Sequence, residues 1–146
     1  MKFKKWPQYS QTEIEAAMNV LCTGKVNYWT GNECKAFEKE FANYIGSQLG
    51  VALANGTVAL EACYRAIGIR DGDEIITTPR TFIATSMAAI NLGAKPIFAD
   101  VVINTGCISP SSIEPLITKK TKAISVVHIG GWPADMENIC KIAYKY

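Results

Sequence analysis

The stretch that decides the fold is Val51-Ala52-Leu53-Ala54-Asn55-Gly56-Thr57-Val58-Ala59-Leu60-Glu61-Ala62. Its beginning belongs to an apolar run over residues 49–54, which predicts a buried strand. Asn55-Gly56 is a turn dipeptide. The apolar residues that follow recur at helical spacing as far as Gly68, a residue suited to ending a helix. The stretch therefore predicts a strand, a tight turn and a helix, in that order.

The predicted turn would provide a place for an anion. Gly56 allows close approach of the backbone, and the first N–H groups of a helix have no intrahelical partner. Together with the hydroxyl of Thr57, these groups would face the space beyond the carboxyl end of the strand. The alternative is that Thr57 only caps its own helix, and spacing alone does not decide between the two.

Composition bounds the class of protein. The chain has 146 residues, 49% of them hydrophobic and 19% charged, with a net charge of +2. These values predict a globular chain with a real core, and the mixed charges indicate no nucleic-acid interface. No run approaches the roughly 18 apolar residues of a membrane span. No apolar run follows Lys2, Lys4 and Lys5, so we expect no signal peptide.

Cysteine and histidine usage argues against disulfides and metal sites. The five cysteines are an odd number and form no C-x-x-C pair: Cys22, Cys34, Cys63, Cys107 and Cys140. This pattern favours reduced thiols in the cytoplasm, and we expect most of them to pack in the core. His128 is the single histidine, which excludes a multi-histidine metal site.

Residues 1–48 are predicted to form a helical arm. Ser10-Gln11-Thr12-Glu13 is a capping-box pattern that begins a helix ending near Gly24. A second helix is predicted over residues 32–45, from its apolar stripe. The loop between them carries Tyr28 and Trp29, which either are exposed to a planar or sugar-like partner or pack on the core.

Residues 49–146 alternate between strands and helices. Strands are predicted at residues 49–54, 74–78, 95–99 and 122–129. Because short links of this kind give right-handed crossovers, the strands should form one parallel sheet. Asp135 is predicted to cap the last helix.

Three residues are candidates at the carboxyl ends of the strands, where open α/β sheets bind ligands. Phe82 is either an aromatic plate for a flat ligand or a core residue. Asp100 either binds something or makes a local turn. His128 is either an acid–base group or, as we favour in the absence of an identifiable partner carboxylate, a structural residue.

Several blocks of sequence together resemble one family, the sugar aminotransferases often called the DegT family. These enzymes use pyridoxal phosphate on nucleotide-linked keto-sugars. The matching blocks cover nearly the whole chain: Trp29-Thr30-Gly31, Phe37-Glu38-Lys39-Glu40-Phe41-Ala42, Asn55-Gly56-Thr57-Val58-Ala59-Leu60, Gly72-Asp73-Glu74-Ile75-Ile76, Thr81-Phe82-Ile83-Ala84-Thr85, Gly93-Ala94-Lys95-Pro96-Ile97-Phe98-Ala99-Asp100, and Val127-His128 with Pro133-Ala134-Asp135-Met136.

The resemblance implies an α/β fold, the three-layer αβα large domain of aspartate-aminotransferase-like (fold type I) enzymes, present in truncated form over residues 49–146. It implies that Gly56 and Thr57 hold the cofactor phosphate, that Phe82 stacks on the pyridine ring, and that Trp29 and Thr30 lie near the substrate. It further implies a cytoplasmic, dimeric aminotransferase that uses pyridoxal 5'-phosphate, a nucleotide-sugar and an amino-acid donor in amino-sugar or surface-polysaccharide biosynthesis.

The resemblance also implies what the chain lacks. In the family, the aspartate that pairs with the pyridine nitrogen and the Schiff-base lysine both follow the segment that matches this chain. We therefore expect no catalytic residue within it, since Lys95 and Lys119 have no motif that would place them over the ring. The alternatives are a non-catalytic module that binds a phosphate ligand, or a split half that needs a complementing C-terminal chain.

Overall fold

A computed structural model describes residues 5–146. These residues form two units, the first reaching Ala52 and the second running from Leu53 to Tyr146. Lys2 and Lys4 lie outside the described residues. The expectation of no signal peptide was based partly on them.

The first unit contains two helices whose bounds follow from local capping. Helix α1 spans Gln11–Thr23 and helix α2 spans Glu33–Ile45. The capping box at the start of α1 is present, since the Ser10 hydroxyl accepts from the Glu13 N–H and the Glu13 carboxylate accepts from the Ser10 N–H. The Ser10 backbone N–H, helped by its hydroxyl, lowers the pKa of Glu13. Both predicted helices are confirmed.

The second unit is built on a three-stranded parallel sheet. Strand β1 spans Glu74–Thr77, β2 spans Lys95–Phe98 and β3 spans Thr121–Ile124. Their order is β2-β1-β3, and both neighbours of β1 run parallel to it. The predicted parallel arrangement of these three strands is confirmed, with their carboxyl ends on one edge.

Helices cover both faces of this sheet, which gives three layers. Helices α3 (Gly56–Ala66) and α4 (Ala84–Ile90) contribute to the cluster around Ile75, and helices α5 (Pro110–Ile113) and α6 (Met136–Lys145) to the cluster around Ile76. Successive side chains of a strand point to opposite faces. The two isoleucines, 1% and 0% exposed, therefore anchor separate cores.

Two of the four predicted strands need correction. The prediction of a strand over residues 49–54 is wrong, because this segment pairs with no strand of the described chain. Leu49 and Val51 are 83% and 77% exposed. The strand predicted over 122–129 ends at Ile124. Its next residue, Ser125, still donates its N–H to the Ile76 carbonyl at 2.8 Å, before a 3-10 turn at Ile129–Gly131.

The prediction that most cysteines pack in the core is also wrong. Cys107 is buried, and its thiol lies 3.4 Å from the carbonyl oxygen of Trp132. The other four thiols are free and exposed. None of the five forms a disulfide.

We expect Gly93→Ala to lower the free energy of unfolding by about 2–4 kcal/mol, through left-handed backbone strain and overpacking. Gly93 has φ +78°, and an added Cβ would lie 2.9 Å from the Asp71 Cα. Its carbonyl also accepts from the Gly72 N–H at 3.1 Å. The matched control is Gly68→Ala, since Gly68 shares φ +78° but has open space around it. The control should lose only about 1–2 kcal/mol. If urea denaturation showed the same loss of unfolding free energy for Gly93→Ala and Gly68→Ala, the steric argument would be contradicted.

Candidate active site

The carboxyl edge of the sheet is where the loops of the second unit converge. Thr78 follows β1 and Ser125 follows β3, and Ser125 is hydrogen-bonded to β1. The Thr77 hydroxyl donates to the Ser125 carbonyl at 2.9 Å. Arg80 donates its backbone N–H to the Thr78 hydroxyl at 3.2 Å, and its guanidinium lies against Gly106 in the loop after β2. The Arg80 guanidinium is thereby placed between the loops that follow β1 and β2.

The start of α3 leaves polar groups free, as an anion site requires. Asn55 caps the helix, since its side-chain oxygen accepts from the Val58 N–H at 3.0 Å and its carbonyl from the Ala59 N–H at 3.1 Å. Within residues 5–146, no hydrogen bond occupies the N–H groups of Gly56 and Thr57 or the Thr57 hydroxyl. The interpretation of Thr57 as the cap is therefore wrong, because Asn55 has that role.

Open space lies above this helix start. A Cβ built on Gly56 would meet no atom within 4 Å, so packing within the fold does not require glycine there. A phosphate needs hydrogen-bond donors and room to approach them. The helix start offers two free N–H groups, one free hydroxyl and open space. The residues present therefore fit a phosphate group.

Phe82 lies exposed in the loop between β1 and α4. Its side chain is 77% exposed, so the core interpretation is wrong. Its backbone is held, because the Phe82 carbonyl accepts from the Thr85 N–H at 3.1 Å. The hydroxyls of Thr81 and Thr85 lie 2.9 Å apart in the same turn. An exposed ring on a fixed backbone suits stacking on a flat ligand.

Gly56, Thr57 and Phe82 belong to neighbouring elements, because α3 and α4 pack against each other. The link includes Tyr64 of α3, whose hydroxyl reaches Thr85 and Ser125. Tyr64 is one of the residues that recur at helical spacing before Gly68, and that pattern predicts only the apolar face of the helix. A tyrosine among buried aliphatic positions was the signal that a hydrogen-bonding partner lay nearby.

The loop of the first unit presents its aromatic residues outward. The Asn27 side chain accepts from the Trp29 N–H at 3.0 Å and from the N–H and hydroxyl of Thr30, both at 3.1 Å. Trp29 is 86% exposed, so it does not pack on the core. The Tyr28 hydroxyl donates to the Glu38 carboxylate at 3.1 Å, and this bond raises the pKa of Tyr28.

Asp100 and His128 make structural contacts. The Asp100 carboxylate accepts from the Val101 N–H at 2.7 Å, and its carbonyl accepts from the Ser109 N–H at 2.9 Å. His128 accepts the Ala134 N–H at Nδ1, at 3.0 Å, which shapes the loop before α6. The structural interpretation of both residues agrees with these bonds.

The part of the chain that the structure describes holds neither a metal-binding cluster nor a membrane-spanning helix. Across residues 5–146, no cluster of three or more His, Cys, Asp or Glu side chains is arranged to hold a metal ion. In the same range, no helix combines the length and the apolar character needed to cross a membrane.

The fold and the helix start define a class of protein, the α/β proteins that have a parallel sheet and a helix start suited to an anion. The chain belongs to the DegT/DnrJ/EryC1/StrS aminotransferase family, whose family model matches residues 7–146. The predicted family is thereby confirmed, together with its fold.

Three proteins illustrate the similarity. The dTDP-3-amino-3,6-dideoxy-alpha-D-galactopyranose transaminase of Aneurinibacillus thermoaerophilus is 45% identical over 137 residues, which cover 93% of this chain and 37% of that protein. The solved aminotransferase of Psychrobacter cryohalolentis superimposes with a TM-score of 0.95 at 48% identity, over 99% of this chain and 36% of that one. A sugar aminotransferase of Streptococcus pneumoniae in its PLP-form gives a TM-score of 0.87 at 28% identity, over 93% of this chain and 34% of that one. The chain thus spans about a third of the length of its relatives.

Proposed function

We propose that this chain carries the phosphate- and ring-binding part of a pyridoxal-phosphate-dependent aminotransferase that acts on nucleotide-linked keto-sugars. The observation that carries the proposal is the start of α3, where Gly56 and Thr57 keep free donors beside open space. Membership of the family and a dTDP-sugar transaminase among its relatives support the substrate class. An amino acid would be the amino donor. The reaction would belong to amino-sugar or polysaccharide biosynthesis.

The proposed roles follow from the chemistry of each group. Bound pyridoxal phosphate supplies an electron-withdrawing ring and a reactive carbonyl. The N–H groups of Gly56 and Thr57 and the Thr57 hydroxyl would donate to its phosphate, aided by the helix dipole. Phe82 would cover one face of its ring and exclude water there.

We propose that Trp29 and Thr30 contact the sugar substrate. Their support is the resemblance and the exposure of Trp29, whose backbone Asn27 holds in place. We also propose a homodimer or a complementing C-terminal chain as the partner. The free thiols support a reducing compartment such as the cytoplasm.

We further propose that the 146-residue chain is inactive by itself, because no described lysine of the second unit is placed to react with the cofactor. Lys95 begins β2 and Lys122 lies second in β3. Both lysines therefore lie at the amino ends of strands. They are away from the carboxyl edge of the sheet, where Thr78 and Ser125 lie.

We expect Thr57→Val to weaken pyridoxal phosphate binding by about 1–3 kcal/mol, the range for a hydrogen bond to a charged group. Equilibrium dialysis against pyridoxal phosphate measures the dissociation constant. The matched control is Thr57→Ser, which keeps the hydroxyl and should stay close to the unmodified chain. An unchanged affinity in Thr57→Val would argue against the phosphate role of this hydroxyl, and no saturable binding by the unmodified chain would argue against the proposed function.

A further inference from the structure

Tyr64 combines a buried ring with a hydroxyl that reaches two other elements. The residue lies on α3 and is 5% exposed, in a cluster that includes Ile75 and Ala88. The proton of its hydroxyl is shared between two acceptors, the Ser125 hydroxyl at 2.9 Å and the Thr85 carbonyl at 3.4 Å. These acceptors lie 61 and 21 residues further along the chain. Tyr64 is therefore a junction of α3 with two other elements.

Ser125, the first acceptor, is fixed to the sheet. Its N–H donates to the Ile76 carbonyl at 2.8 Å, and its carbonyl accepts from the Thr77 hydroxyl at 2.9 Å. Ser125 is thus held to the centre of the sheet. A hydrogen bond from Tyr64 to Ser125 therefore connects α3 to the carboxyl ends of β1 and β3.

Thr85, the second acceptor, is fixed to the loop that carries Phe82. Its N–H donates to the Phe82 carbonyl at 3.1 Å, and its hydroxyl lies 2.9 Å from that of Thr81. The same tyrosine therefore connects the helix that begins at Gly56 with the turn that presents the exposed ring.

We propose that Tyr64 is a positioning residue, which sets the start of α3 relative to the Phe82 turn so that one ligand can contact both. The proposal rests on the proposed function, because the ligand must combine a phosphate with a flat ring. A ligand that contacts only the helix start would not depend on Tyr64.

The hydroxyl is what distinguishes positioning from packing. A phenylalanine would fill the same apolar volume, and burying a hydroxyl is unfavourable unless it is hydrogen-bonded. A satisfied bond in a buried site is directional, whereas apolar contacts permit helices to slide. The Tyr64 hydroxyl thus restricts the geometry of α3 in a way that its ring does not.

The test compares two probes in the 146-residue chain and its Tyr64→Phe variant. We expect the dissociation constant for pyridoxal phosphate to rise about threefold to tenfold, the effect of one lost neutral hydrogen bond. The dissociation constant for inorganic phosphate should stay unchanged. The control Tyr144→Phe, at a residue 91% exposed, should alter neither constant. Ser125→Ala removes the Tyr64–Ser125 bond without touching the ring but leaves the Thr85 acceptor in place, so it should reproduce part of the effect.

Each outcome decides the proposal. Equal weakening of both probes would mean that Tyr64 serves general stability, and an unchanged pyridoxal phosphate constant would mean that it positions nothing; either result overturns the inference. If the unmodified chain binds no pyridoxal phosphate, the proposed function fails. Amide hydrogen exchange then tests, without a ligand, whether Tyr64 holds α3 to the other two elements. Faster exchange at Thr85 and Ser125 in Tyr64→Phe, with Ala88 still protected, supports the junction, and unchanged exchange overturns it.

Discussion

The purified 146-residue chain is expected to transfer no amino group from an amino acid to a keto-sugar nucleotide. Transamination needs a neutral amine that attacks the cofactor carbonyl and then shuttles a proton. Lys95, at the start of β2, is separated from the carboxyl edge by the length of a four-residue strand, about 10 Å. Lys119 and Lys120 precede β3 and share that position.

The lysines of α6 are unsuited for a different reason. Lys141 pairs with Glu137 at 2.6 Å, and Lys145 pairs with Glu114. The hydrogen bond from Lys145 to the Glu114 carboxylate raises the pKa of Lys145, which favours its ammonium form. An ammonium has no free electron pair and does not act as a nucleophile.

The measurement is product formation from a dTDP-linked keto-sugar and glutamate, followed by chromatography. The full-length Aneurinibacillus relative is the positive control, and the chain with its cofactor omitted is the blank. Product above the blank would show that some lysine of this chain does reach the cofactor.

The second large effect is self-association of the isolated chain at micromolar concentration. In the described sheet, β2 and β3 are the outer strands, and each has backbone groups on one side without a strand neighbour. Parallel sheets are normally buried, and open edges pair with other chains. Beside β3 lies a cavity of about 660 Å³ lined by residues that include Ile117, Ala123 and Ala143. Apolar burial should therefore favour dimers or larger species.

Sedimentation velocity over a range of concentrations tests this expectation. The weight-average sedimentation coefficient should rise with concentration and persist in high salt, because apolar contacts are not screened. Phe98→Lys places a charge on outer strand β2, where Phe98 is 50% exposed, and should reduce association. Ile103→Lys, at a residue 93% exposed and outside the strands, is the matched control. A single monomeric species with a cooperative thermal transition would show that the chain is a self-sufficient domain.

The features that sequence could predict are those whose causes are local. The start of α1 depends on Ser10 and Glu13, three residues apart, and the cap of α6 depends on Asp135 and Asn138. Both pairs can be recognised from the spacing of their residues in the sequence. Thr57 and Phe82 were identified as candidates from the local pattern, which left their roles open, and the family resemblance then implied a role for each.

The features that sequence missed depend on distant partners. Residues 49–54 have the composition of a strand, yet a strand also needs a neighbour, and composition does not supply one. The Tyr64–Ser125 bond joins residues 61 positions apart, and no periodicity reveals which helix face meets which strand end. Capping by Asn55 rather than Thr57 was a choice between two polar residues two positions apart, and backbone geometry decides it.

The cap at Asn55 has a consequence for the speed of ligand capture. Because Asn55 satisfies the Val58 N–H by itself, the first turn of α3 is complete before any anion arrives. The donors of Gly56 and Thr57 are thus held in place by a residue that the ligand never needs to displace. Under the proposed phosphate role, capture of the anion would require no folding step in the first turn of α3, and we expect diffusion and loss of water from the anion to set its rate.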